Sequence, residues 1–181
     1  MMLVLSVMGW ESFAKEAGGY LLPQTARQET VVVVNRFLVR MRRIGDCGSF
    51  EEMLPSTLEL FAPGAHISST SKNRSWVDSL PAEKYLRKIN GFKCGRPQKY
   101  RFMTFQYNPV DESMATIIGT GRNNSYLVRV DVEQRFVGGD SETSILYDDD
   151  TLKRFFLEVY TDQYGYIVCK ILRIEAEPPT S

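Results

Sequence analysis

Tyr126-Leu127-Val128-Arg129-Val130-Asp131-Val132-Glu133-Gln134-Arg135-Phe136 is the stretch whose reading decides the fold. Tyr126, Val128, Val130, Val132 and Phe136 fall on one side; Arg129, Asp131, Glu133 and Arg135 fall on the other. Strand side chains alternate between faces, so this period of two predicts a half-buried strand with one wet face. Two further strand-like runs follow at residues 152–161 and 166–175. The link between them, Asp162-Gln163-Tyr164-Gly165, predicts a tight hairpin with Gly165 in the left-handed region.

Working outward, residues 31–44 show the helical period instead. Val34, Phe37, Leu38, Met41 and Ile44 recur at three and four residues, with Arg36, Arg40 and Arg43 opposite. The Arg row reads as a solvated helix face, and Gly45 as its stop. Ser49-Phe50-Glu51-Glu52 has the capping-box pattern. Pro55 is expected to interrupt that helix, leaving a short turn and a second piece near residues 56–61, closed by Ala62-Pro63-Gly64. A short strand at 65–69 follows. Ser79 is expected to cap a helix over 81–90, with Tyr85, Leu86 and Ile89 buried and Gly91 ending it. Residues 98–107 and 114–119 read as further strands. Helices followed by an antiparallel meander define an α+β domain: N-terminal helices packed on a curved, mostly antiparallel sheet.

At 181 residues, one domain is the natural size. Lys plus Arg equals Asp plus Glu, 22 each. A neutral chain offers neither the basic excess of a nucleic-acid binder nor attraction to an anionic membrane. Residues 1–10 are mostly apolar but too short to span a bilayer. Ser12 and Ala14 fit a small-residue cleavage site, which would leave Lys15 as the mature start. The expected organisation is therefore a signal-peptide remnant at 1–14, a linker at 15–29, one domain at 30–176 and a tail at 177–181. Export, to a periplasm, is the expected localisation, or the cytoplasm if that segment is kept. Of the cysteines, Cys169 sits between Ile167 and Ile171 and reads as a small core residue. Cys47 and Cys94 lie in Gly-flanked loops and could pair in an exported protein, although sequence does not show whether they approach.

The order helix, broken helix, short strand, helix, long antiparallel strands resembles the nuclear transport factor 2-like superfamily, which includes ketosteroid-isomerase and SnoaL-like proteins. The carriers are Leu58-Glu59-Leu60-Phe61-Ala62-Pro63-Gly64-Ala65-His66-Ile67, Pro81-Ala82-Glu83-Lys84-Tyr85-Leu86, Val132-Glu133-Gln134-Arg135-Phe136 and Tyr164-Gly165-Tyr166. The likeness covers roughly residues 30–175 and is similar to small exported bacterial members. It implies a cone, the cystatin-like shape in which a curved sheet wraps a long helix around an apolar pocket. Members use that pocket for isomerisation, dehydration or binding, or use the fold only as a dimer scaffold, so the fold leaves function open.

Chemistry of the family type needs a base and a polariser inside the cone. His66 has no identifiable partner and reads as a surface residue. Neither the His–Asp pairing of dehydratase-like members nor the Tyr–Asp arrangement of isomerases maps onto this chain, so no catalytic residue is assigned. Gln134 breaks an apolar strand face and must find hydrogen bonds, either to backbone or to a ligand. The pocket-lining candidates are Tyr100, Phe102, Tyr126, Gln134, Phe136 and Tyr160. Asp148-Asp149-Asp150 lacks calcium-loop spacing and reads as a solvated loop. Gly119-Thr120-Gly121-Arg122 lacks the third glycine of a dinucleotide fingerprint. No metal and no cofactor are expected. The expected role is a non-catalytic exported domain binding a small apolar ligand or a protein partner, with a ketosteroid-isomerase-like or dehydratase-like enzyme as the alternative. Apolar residues on both faces of 152–160 add the expectation of a weak, polar-rimmed homodimer.

Overall fold

The computed structural model describes residues 21–70, 77–121 and 124–177. The expected signal segment therefore lies outside the described residues. Three helices, α1 (Pro23–Arg42), α2 (Phe50–Leu58) and α3 (Ala82–Cys94), pack on a curved sheet. Its strands are β1 (Phe61–Ser69), β2 (Asp78–Pro81), β3 (Phe102–Tyr107), β4 (Ala115–Thr120), β5 (Tyr126–Ser141), β6 (Ser144–Thr161) and β7 (Ile167–Glu177).

The sheet runs β2-β1-β7-β6-β5-β3, with β4 also on β5. All pairs are antiparallel except β1 with β7. Strand β5 is long enough to hold two partners end to end. Its first half pairs with β4, Ala115 opposite Val130, and its second half with β3, Phe105 opposite Phe136. The alternation read from the sequence holds: Val128, Val130 and Val132 are fully buried. The opposite face carries an ion-pair lattice, with Asp131 joined to Arg154 (3.0 Å) and Arg129 (3.5 Å). Helix α1 lies across the buried face. Phe37 meets the rings of Phe61 and Phe155 edge-on, with centroids 5.5 and 5.7 Å apart. The link Asp162–Gly165 turns as expected. Gly165 has φ +86°, and Asp162 Oδ1 accepts from the backbone N–H groups of Tyr164 and Tyr166.

Several expectations need correction. The linker does not extend to residue 29: α1 starts at Pro23, in the first-turn position where proline fits. Ala26 and Thr30 continue its buried stripe, but alanine and threonine are weak hydrophobic signals. Pro55 does not break α2. Phe50 and Leu54 anchor that helix in the core, and its last turn gains side-chain bonds from Ser56 (3.0 Å) and Thr57 (2.8 Å) to Met53 O. Ser49 makes no capping bond; its hydroxyl donates to Asp46 instead. Ser79 lies in β2, and Pro81 precedes α3, which runs past Gly91 to Cys94. Strand β1 starts at Phe61 and takes a bulge before His66, with Gly64 at φ +76°. The largest correction concerns Asp148-Asp149-Asp150. They are strand, not loop, each opposite a residue of β5: Val137, Phe136 and Arg135. Alternation turns Asp149 inward and leaves Asp148 outside, where it pairs with Arg135 at 2.6 Å.

Candidate functional site

The inner face of β6 changes character along its length. Phe155, Leu157 and Val159 pack into the helix-covered core. In the other direction the same face continues as Lys153, Thr151, Asp149 and Tyr147. These four line a partly open cavity of about 120 Å³. Tyr85, Ile89 and Phe92 of α3 form one wall, and Phe105, Gln134 and Phe136 the facing one. Ser69, Thr70, Lys88 and Lys99 stand at its rim.

Local structure places each wall. A disulfide joins Cys47, in the loop between α1 and α2, to Cys94 at the end of α3, with Cα atoms 5.5 Å apart. Arg87 reaches Glu51 of α2 at 2.9 Å, and Asn90 donates to Ile44 O at 2.8 Å. Together these ties fix α3 against the α1–α2 corner. Across the cavity, Tyr100 lies against the backbone of Gly138, where a Cβ would sit 2.9 Å from the ring. Glycine lets the ring approach. Tyr100 then meets Phe136 at 5.8 Å and Phe92 at 6.0 Å, both edge-on.

The polar groups are deeply buried. Asp149 is 2% exposed and accepts from the Tyr147 hydroxyl at 2.7 Å. Lys153 is 4% exposed, donates from Nζ to Ser68 O at 3.0 Å, and stands 5.9 Å from the Tyr85 ring centroid. Burial pulls its ammonium down from 10.5 to about 8, against a smaller opposing pull from Asp149. Burial also pushes the Tyr85 and Tyr107 phenols up. The Tyr107 hydroxyl makes a long contact, 3.4 Å, to Gln134 Oε1. Between Asp149 and Lys153, Thr151 Oγ1 is buried and has no hydrogen-bond partner among the described residues.

Of the residues expected to line the cone, the structure brings Tyr100, Gln134 and Phe136 together. Gln134 lines the cavity, and its contact is to the Tyr107 hydroxyl, a side chain, where backbone or a ligand was expected. Phe102 and Tyr160 have the wrong strand parity, because Met103 and Phe105 or Val159 take the inner face. Tyr126 is on the inner side of β5 but eight residues from Gln134, roughly 27 Å along the strand. His66 is exposed, its Nδ1 2.8 Å from Gly64 O. Cys169 is half-buried against the core, its thiol pushed up to about 12 chiefly by burial. Sequence reasoning missed Tyr147, Asp149, Thr151 and Lys153. The signal was present: counting back from Phe155 in steps of two reaches all four. No group of three or more metal-ligating side chains occurs among the described residues.

No family model matches the sequence, and no curated protein matches it. Solved structures do match in shape. A chain of naphthalene 1,2-dioxygenase, solved with indole bound in the active site, superposes with a TM-score of 0.52 at 8% identity, over 88% of this chain and 82% of that one. A nuclear transport factor 2-like superfamily protein from Salmonella enterica serovar Typhimurium gives 0.48 at 13% identity, over 88% and 95%. The protein Aln2 from a Streptomyces species gives 0.47 at 14%, over 88% and 93%. At such identities the likeness is one of fold. The chain itself has three helices packed on a curved, unclosed, mostly antiparallel sheet, the α+β architecture expected from the sequence. No helix among the described residues is long and apolar enough to cross a membrane.

Proposed function

We propose that this domain binds a small organic molecule, about one ring in size, with an apolar body and one polar end, inside the cone. The observation that carries this reading is Thr151, a cavity-lining residue whose Oγ1 is buried without a hydrogen-bond partner among the described residues. Buried polar groups are nearly always hydrogen-bonded, so an orphan hydroxyl on a cavity-lining residue supports a place for a ligand atom there. Size supports it too. A cavity of roughly 150 Å³ lined by apolar groups takes up benzene, and this one is only slightly smaller. The aromatic walls favour a flat ring. Calorimetric titration with benzyl alcohol tests this. Saturable binding that weakens in Thr151→Val and in Phe136→Ala is expected; no binding by a folded protein would overturn it.

A second reading, an acid–base enzyme of the isomerase or dehydratase kind, is favoured by one observation: the buried Asp149 carboxylate accepts from the hydroxyl of the half-buried Tyr147 in the cavity wall. It requires a turnover that Asp149→Asn removes. Export is part of our proposal. The Cys47–Cys94 disulfide supports it, because such bonds persist in oxidising compartments. The mature N-terminus of protein purified from an exporting host, read by native mass spectrometry, is expected near Lys15. We also propose a weak homodimer through the outer sheet face, where Phe156 lies under Arg173 at 3.9 Å. A monomer mass that stays constant with concentration in light scattering would exclude it.

A further inference from the structure

We propose that Lys153 captures carbonyl compounds covalently: its amine condenses with a small aldehyde or ketone held in the cone to give a Schiff base. This deepens the ligand-binding reading above and rests on it. The geometry comes first. Among the described residues, Lys153 is the one lysine whose side chain is buried in the cavity wall. The rim lysines differ: Lys88 is exposed and ion-paired to Asp78 at 2.6 Å, and Lys99 is exposed over the Phe92 and Tyr100 rings. The Lys153 amine is aimed by one hydrogen bond, to Ser68 O. A neutral amine that donates one hydrogen there keeps its lone pair free to attack.

Protonation supports the same role. The groups facing Lys153 are the Tyr85 ring on α3, the carboxylate of Asp149 on its own strand, and Gln134 with the Tyr107 hydroxyl on β5 and β3. Desolvation outweighs the one anionic neighbour, leaving the amine near 8. Roughly a tenth of it is neutral at pH 7, against roughly one in 3,000 for an ordinary lysine, since each pKa unit is tenfold. Buried lysines of this kind are the ones that form Schiff bases.

The step balances without a further reagent. Nζ attacks the carbonyl carbon, and a proton moves from nitrogen to the former carbonyl oxygen, giving a carbinolamine. Loss of the second N–H proton with that hydroxyl releases one water as the C=N bond forms. Thr151, two residues away on the same face, supplies the unpartnered hydroxyl that can bond the departing oxygen.

The test uses the full-length protein, benzaldehyde and sodium cyanoborohydride at pH 7, followed by peptide mapping. Cyanoborohydride reduces the imine to a stable benzyl-lysine. Lys153 is expected to carry the benzyl group at least tenfold above any other lysine, with Thr151→Val slowing the labelling several-fold. Labelling that follows surface exposure, or a folded protein with Lys153 unmodified, would overturn the proposal. Benzyl alcohol, which cannot condense, separates the two claims. If it binds while Lys153 stays unlabelled, capture fails and the cone reading stands; if it does not bind either, both fail.

Discussion

The two halves of β6 share one strand, one face and the neighbour β5, with β7 alongside only from Leu152 onward, yet they carry opposite chemistry. From Phe155 to Val159 the inner side chains are apolar and meet α1. From Tyr147 to Lys153 they are a phenol, a carboxylate, a hydroxyl and an amine, and they meet a cavity. Backbone pairing with β5 continues across both halves. The difference teaches that the strand's conformation does not depend on apolar burial at every inward position. Continuous ladder bonds hold the polar half in place while the apolar half supplies the packing energy. Polar groups buried in this way lower stability, which is the usual mark of a binding or reacting site.

Breaking the apolar half has the largest expected effect. Phe155→Ala removes a fully buried ring packed against Phe37 and is expected to cost about 3–5 kcal/mol, read as a shifted denaturant midpoint. Next comes the clamp on the cavity wall. Cys47→Ser with Cys94→Ser is expected to cost about 2–4 kcal/mol and to weaken benzyl alcohol binding, because α3 loses its tie.

The polar half should respond with the opposite sign. The Lys153 amine titrates near 8 in the folded chain and at 10.5 when unperturbed. Between those pH values the unfolded chain binds a proton that the folded chain has released, so stability rises with pH through the window. Below pH 8 the full penalty of this group, on the order of 3 kcal/mol, is present. Lys153→Met removes it but leaves Ser68 O short of a donor, at about 1 kcal/mol. The variant is expected to melt several degrees higher than the parent at pH 7, with the gap closing by pH 10. A gap that does not change with pH would show that burial does not shift this amine. The smallest effect is expected on the outer face. Arg135→Ala breaks an exposed pair with Asp148 and should leave the melting temperature unchanged within error.

These contrasts also explain what was legible in the sequence. The alternation of β5 could be read directly, because one face is apolar apart from Gln134 and the other is charged. The apolar half of β6 was readable as strand but not as a face, because Phe156 and Tyr160 make its outer side apolar too. The polar half was not readable even as strand, because three consecutive aspartates carry the composition of a turn, and only their register against β5 makes them strand. Tyr100, Gln134 and Phe136 lie around this cavity and Phe102, Tyr126 and Tyr160 do not, for one shared reason. Parity along a strand is readable, but position along the cone axis depends on which end the helices cover. Pro55 misled because its local cost is offset by tertiary anchors, Phe50 and Leu54, that sequence does not weigh.

The place of β7 has a consequence for how the chain comes together. It is sequentially last among the strands yet lies inside the sheet, between β1 and β6. The two first strands therefore have no edge to join until residue 171 or later has been made, since Phe61 and Ile67 sit opposite Ile171 and Ile174. During synthesis the β1–β2 pair must wait, detached from the rest of the sheet, for a segment more than a hundred residues downstream. Such long-range closure is slow. For the export we propose, that delay would serve the chain: it would keep the sheet from closing before the whole chain has crossed.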